Sequence, residues 1–168
     1  LLESTRLYGN IQKFIHVSTD EVYGESMISV DEKHKTEHSI LCPTNPYAAT
    51  KAGAELIAQS YNHSFKMPIV ITRGNNVYGP NQIRTGTYAT VIGIFEEAYK
   101  RNKAMTVVKP GNQTRRFTHI DDTIDVCLLA WKKGKNLHYS ISSKKSYSVL
   151  EVAKLFGNKI KYLSSRPG

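Results

Sequence analysis

Only two cysteines, Cys42 and Cys127, stand among the 168 residues. They form neither a metal-ligand spacing nor a disulfide framework, so a reducing compartment, the cytoplasm, is the expected setting. Cys127, inside an apolar stretch, reads as a small buried hydrophobe. No apolar run approaches the roughly 20 residues needed to cross a bilayer, and no membrane partner is expected. Glu3, Thr5 and Arg6 interrupt the leucines of the first segment, so it does not read as a signal peptide. There is no internal repeat, no low-complexity tract and no helix-turn-helix, zinc-finger or RNA-recognition signature. Acidic residues are scarce, 14 against 23 Lys+Arg, for a net charge of +9. The excess is lopsided: residues 1–82 carry 7 Lys+Arg against 8 Asp+Glu, or −1, and residues 83–168 carry 16 against 6, or +10. Those cations are scattered rather than stacked on one helix face, which argues against a nucleic-acid partner.

What is present is an ordinary globular composition, 40% apolar, in a chain long enough for a real core. The chemistry gathers between Val17 and Lys51. Phe14-Ile15-His16-Val17 reads as a buried strand, which puts Thr19, Asp20 and Glu21 at its carboxyl end, the edge of a parallel sheet where ligands bind. A long polar loop from Gly24 to Thr44 follows, and its His34 and His38 read as loop histidines, with no metal expected. Pro46 suits a first helical position, and the alanine-rich run after it predicts a helix to about His63. Tyr47 and Lys51 then fall one turn apart on one face. An ammonium beside a phenol stabilises the phenolate, so the spacing predicts a lowered tyrosine pKa and proton exchange with a substrate hydroxyl.

Ile69 to Arg73 reads as a second buried parallel strand, closing a βαβ unit. Beyond it the pattern predicts a helix over 87–102, a strand over 105–108, a strand over 116–120, and a helix capped by Asp121 that reaches Lys133. A strand over 137–141, a helix over 148–156 and a strand over 160–163 complete the reading. The opening residues read as the last turns of a helix ending near Tyr8.

Ser18-Thr19-Asp20-Glu21-Val22-Tyr23-Gly24, Tyr47-x-x-x-Lys51 and Arg73-Gly-Asn-Asn-Val-Tyr-Gly-Pro80 together resemble the extended short-chain dehydrogenase/reductase superfamily. Within it they are most similar to nucleotide-sugar 4,6-dehydratases of the deoxythymidine-diphosphate-glucose type. From Thr87 onward the chain looks more like the superfamily's sugar-nucleotide 4-epimerases. The resemblance implies an α/β fold: part of a Rossmann-like, doubly wound parallel sheet with a smaller α/β substrate-binding domain. Residues 1–82, with about 115–137 returning, would belong to the NAD domain, and 83–114 with 138–168 to the nucleotide-sugar domain.

It also implies roles. Thr19, Asp20, Glu21, Tyr47 and Lys51 would be catalytic, with Tyr47 and Lys51 also holding NAD. Asn76, Arg115 and Arg166 would bind the nucleotide-diphosphate sugar, and the complete protein would be a homodimer. The family's glycine-rich G-x-x-G-x-x-G turn, which seats the dinucleotide pyrophosphate, has no counterpart in these residues, so the chain reads as a fragment. Where relatives usually place an acid, this chain has Arg116. The adjacent carboxylates Asp20 and Glu21 favour dehydration, since a 4-epimerase needs only the tyrosine and cofactor. A truncated chain that binds a nucleotide sugar without turnover is the remaining alternative.

Overall fold

The computed structural model describes residues 1–24, 35–135, 137–157 and 159–164. In chain order the elements are α1 (Leu2–Tyr8), β1 (Phe14–Thr19), a 3-10 turn (Asp20–Tyr23), α2 (Pro46–Phe65), β2 (Ile69–Gly74) and β3 (Val77–Tyr78). There follow α3 (Val91–Lys100), β4 (Met105–Val108), β5 (Thr114–Arg116), β6 (Thr118–His119) and α4 (Ile120–Lys133). The last are β7 (His138–Ile141), β8 (Ser146–Ser148), α5 (Val149–Leu155) and β9 (Ile160–Leu163). They form two compact units, Leu1–Asn75 with Asp122–Ser142, and Asn76–Asp121 with Ser143–Gly168.

The first unit is a parallel sheet in the order β1-β2-β7, with α2 as the crossover between β1 and β2. β2 is central and buried from Ile69 to Arg73, as its β-branched run predicts. β1 is different. Among the described strands it pairs only with β2, and Val17 is 55% exposed. The burial expected over Phe14 to Val17 is only partial: Phe14, Ile15 and His16 are half-buried and Val17 is exposed, while the buried positions are Ser18 and Thr19. The alanines of α2 explain how closely it packs: Ala48, Ala52 and Ala58 are buried and let the helix lie close to what it covers. Ala58, Met67, Ile69 and Ile71 form the core, joined by Leu2, Ile11, Phe14, Tyr61 and Leu137.

Sequence put residues 138–141 in the second domain, but β7 pairs parallel with β2, Ile71 opposite His138 through Gly74 opposite Ile141. Residues 115–121, expected to return to the first domain, group with the second unit.

The second unit builds its core from Phe95, Met105, Val107, Val152 and Ala153. β4 pairs parallel with β9, β5 antiparallel with β8, and β3 parallel with β6. α3 is shorter than its periodicity predicts because the Thr90 hydroxyl caps it, accepting from the Gly93 N–H at 3.3 Å. The strand predicted over 116–120 is two short strands, broken at Phe117. Asp121 does not cap α4. The helix begins one residue earlier, and the Asp121 N–H donates to His119 Nδ1 at 3.3 Å.

Glu96 on α3 gathers the segment after Pro80. Gln82 Nε2 donates to it at 3.1 Å, Arg84 Nε lies 3.0 Å away, and Lys100 Nζ 2.9 Å. The Arg84 guanidinium, then Lys100 and Gln82, hold its carboxyl down at about 2. A depressed carboxylate pKa stabilises the fold above the ordinary value of about 4.3, and that contribution disappears as pH falls towards the folded value. The urea midpoint should therefore fall between pH 5 and pH 2 (roughly that window) less steeply in Glu96→Gln than in the parent chain. Equal slopes would show that the cluster contributes nothing.

Candidate active site

Thr19 ends β1, and its hydroxyl caps the 3-10 turn by accepting from the Glu21 N–H at 3.3 Å. That cap turns the chain sharply at the sheet edge, so Asp20 and Glu21 leave strand geometry and escape its alternation. The Thr19 hydroxyl also donates to Asp20 Oδ1 at 3.4 Å. Gly24 closes the turn with φ 67°, and a Cβ there would lie 1.8 Å from the Cys42 carbonyl oxygen. The glycine of Val-Tyr-Gly is thus set by close backbone approach. Cys42 N–H donates to the Val22 carbonyl at 2.9 Å, bringing the end of the polar loop back onto the turn.

Asn45 joins the turn to the helix. Its Oδ1 caps α2 by accepting from the Ala48 N–H at 2.9 Å, and its Nδ2 donates to Glu21 Oε2 at 3.0 Å. This residue was missed by sequence reasoning, although an asparagine directly before a proline and a helical run is a cap signal.

Tyr47 lies in the first turn of α2, 53% exposed, and hydrogen-bonds Thr19. Its pKa is raised, not lowered. Partial burial is the largest cause and the Glu21 carboxylate the next, Asp20 adds to them, and the Thr19 hydrogen bond opposes. The expectation that Lys51 would lower it is corrected on this point, because spacing along a helix does not fix where a long side chain ends. Lys51 Nζ donates to the Val17 carbonyl at 3.1 Å. His16, on the same strand, is held below its ordinary value by burial and then by the Lys51 charge.

The first unit therefore brings together Thr19, Asp20, Glu21, Tyr47 and Lys51. Asn76 and Arg115 belong to the second unit. Asn76 has φ 39°, a left-handed conformation that asparagine tolerates, and its carbonyl accepts from the Thr118 N–H at 3.3 Å. Gly79 has φ 155°, and a Cβ there would lie 2.5 Å from Ile120 Cγ2. Arg115 is exposed on β5 opposite Tyr147, with Nη1 donating to the Thr114 carbonyl at 3.0 Å. Arg166 and His34 lie outside the described residues. Among the described residues no group of three or more His, Cys, Asp or Glu could hold a metal ion, and no helix is long and apolar enough to cross a membrane.

The half-exposed phenol and the ammonium one turn on could hydrogen-bond the hydroxyls of a cofactor's ribose. Nearby on β1, Ser18 Oγ and His16 Nε2 are buried without a protein partner among the described residues. The site is thus polar beyond what the fold itself satisfies.

Comparison with known proteins places the chain in a family. The family model described as GDP-mannose 4,6 dehydratase matches residues 1–165. The chain is 42% identical over 163 residues to a dTDP-D-glucose 4,6-dehydratase of Dictyostelium discoideum, covering 92% of this chain and 36% of that protein. It is 39% identical over 179 residues to a trifunctional UDP-glucose 4,6-dehydratase/UDP-4-keto-6-deoxy-D-glucose 3,5-epimerase/UDP-4-keto-L-rhamnose-reductase of Arabidopsis thaliana, covering 99% of this chain and 26% of that one. Among solved structures, UDP-glucose 4-epimerase of Thermotoga maritima with UDP-glucose matches with TM-score 0.90 at 28% identity, over 100% of this chain and 55% of that chain. A dTDP-glucose 4,6-dehydratase of Streptomyces venezuelae with NAD bound matches with TM-score 0.84 at 29% identity, over 99% and 51%. The chain belongs to the NAD-dependent epimerase/dehydratase family of extended short-chain dehydrogenases/reductases, and spans about a quarter to two fifths of the curated relatives it matches.

Because the Glu21 charge disfavours ionisation of Tyr47, Glu21→Gln should lower the Tyr47 pKa. Carbon-13 NMR of labelled tyrosine, with Tyr47→Phe to assign the signal, measures it. A Tyr47 pKa unmoved by Glu21→Gln would contradict the electrostatic coupling.

Proposed function

We propose that this chain carries the acid–base machinery of an NAD-dependent nucleotide-sugar 4,6-dehydratase. The observation that supports this most is the pair Asp20 and Glu21 on the 3-10 turn, both acting electrostatically on the Tyr47 phenol. Dehydration needs one more base and one more acid than simple alcohol oxidation does, and the turn supplies both next to the tyrosine.

Tyr47 takes the proton of the sugar 4-hydroxyl, and Thr19, bonded to Tyr47, steadies the same oxygen. Lys51, one turn further along α2, would with Tyr47 hold the nicotinamide-ribose end of the cofactor. The hydride chemistry, acceptance from C4 and return to C6, would be supplied by bound NAD. The C4 carbonyl acidifies the C5 proton, which Glu21 removes. Asp20 donates a proton to the 6-oxygen, which departs as water, and Glu21 returns a proton to C5 as C6 is reduced. To act as an acid Asp20 must first be protonated, which cancels one of the charges that raise the Tyr47 pKa. Readiness of the acid and readiness of the phenol are therefore coupled. Asn76, Arg115 and Arg166 bind the nucleotide diphosphate, the arginine forks matching phosphate oxygens.

A 4-epimerase is the second reading, favoured by the fold match to the Thermotoga enzyme. Product mass separates the two. With NAD and a glycine-rich amino-terminal segment supplied, dTDP-glucose or UDP-glucose should yield a keto sugar lighter by one water. Tyr47→Phe should abolish oxidation, Glu21→Gln should stop at a 4-keto hexose that keeps its 6-hydroxyl, and Asp20→Asn should slow water loss by about 10²–10⁴-fold. Unchanged product mass with both sugars would exclude dehydration and leave the epimerase or a non-catalytic nucleotide-sugar binder.

Residues 1–168 contain no glycine-rich turn for the pyrophosphate, so alone they should bind NAD weakly or not at all. Calorimetry giving a micromolar dissociation constant for the isolated chain would contradict this.

A further inference from the structure

We propose that Arg73 is a positioning residue that locks the acid–base turn to the tyrosine-bearing helix. Arg73 lies at the carboxyl end of β2 and is 2% exposed. Its Nε donates to both Glu55 carboxylate oxygens at 3.1 Å, and its Nη2 to Glu55 Oε2 at 2.6 Å. Glu55, fully buried, follows Lys51 by one turn of α2 and Tyr47 by two. The remaining nitrogen, Nη1, donates to the Tyr23 hydroxyl at 2.7 Å and to the Glu37 carbonyl at 3.2 Å. Tyr23 ends the 3-10 turn that carries Asp20 and Glu21, and the guanidinium lies over its ring at 4.9 Å from the centroid.

One planar group therefore grips the helix through Glu55, the turn through Tyr23 and the returning loop through Glu37. The Tyr23 hydroxyl, accepting from Arg73, is free to donate to Ser140 Oγ at 3.1 Å on β7, and Ser140 N–H donates to Glu37 Oε1 at 2.8 Å. A lysine, a point charge without the fork, could not reach carboxylate, phenol and carbonyl together. Buried ion pairs add little net stability over apolar replacements, so stability alone does not account for this one. Its geometry instead sets where Glu21 and Asp20 stand relative to Tyr47.

The inference rests on the roles proposed above for Tyr47 and Glu21, yet its test needs neither substrate nor NAD. Tyr23→Phe leaves the Arg73–Glu55 pair intact and cuts the link to the turn. In the folded 168-residue chain it should lower the Tyr47 pKa, read by carbon-13 NMR, as the carboxylates loosen from the phenol. Arg73→Lys, where it folds, should shift it the same way. Gln59→Leu removes the contact of Gln59 Nε2 with His138 Nε2 at 3.1 Å, which joins α2 to β7 without using Tyr23, and should leave the titration unchanged. An unmoved Tyr47 pKa in folded Tyr23→Phe, or an equal shift in Gln59→Leu, would overturn the positioning role. Failure of the dehydratase reading would appear separately, in product mass.

Discussion

The ion pair between Arg73 and Glu55 is the constraint on which the first unit depends. Neither group is exposed, and an unpaired charge at that depth costs several kcal/mol, roughly 3–5 when one partner is removed. Burial opposes the charge on Arg73, but its hydrogen bonds to Glu55 and Tyr23 more than offset this and raise its pKa. The pair is satisfied only when α2 lies against the end of β2 and the 3-10 turn closes onto both. Small side chains make that approach possible: Ala48 and Ala52 on the helix, and Gly24 where the turn meets the Cys42 backbone.

From that arrangement the chemistry follows. The turn frees two adjacent carboxyl groups from strand alternation and directs them to the first turn of α2, where Tyr47 is half exposed. A phenol beside carboxylates is a poor acid, so proton transfer responds to every charge that changes near it. The Lys51 ammonium is anchored on the Val17 carbonyl of β1. A dehydratase has use for such a cluster, whereas alcohol oxidation alone has no use for Asp20 and Glu21.

Local features were legible in the sequence. Pro46 with the alanine run marked α2, the β-branched run marked β2, and Thr19 fell at the end of β1 as expected. Periodicity could not show that Val17 is exposed, because the residue is apolar. Nor could it assign β7, whose place depends on pairing with a strand far earlier in the chain. The sign of the Tyr47 shift was misread because helical spacing brings Lys51 to the right face but leaves its ammonium free to bond the neighbouring strand. Arg73 was visible as part of a motif, yet its partners Glu55, Glu37 and Tyr23 lie 18, 36 and 50 residues away, and nothing local signals a bond across such separations. Asn45 was readable as a cap, but its second contact, to Glu21, exists only once the turn and helix meet.

Carrying out the reaction in deuterium oxide, with NAD and the glycine-rich segment supplied, tests the central claim most directly. If Glu21 removes the C5 proton, exchanges it with solvent and returns one to C5 after water has left C6, the hydrogen at C5 comes from solvent. The account expects a 6-deoxy-4-keto product with one deuterium at C5. A product that keeps its 6-hydroxyl and carries no carbon-bound deuterium would contradict it.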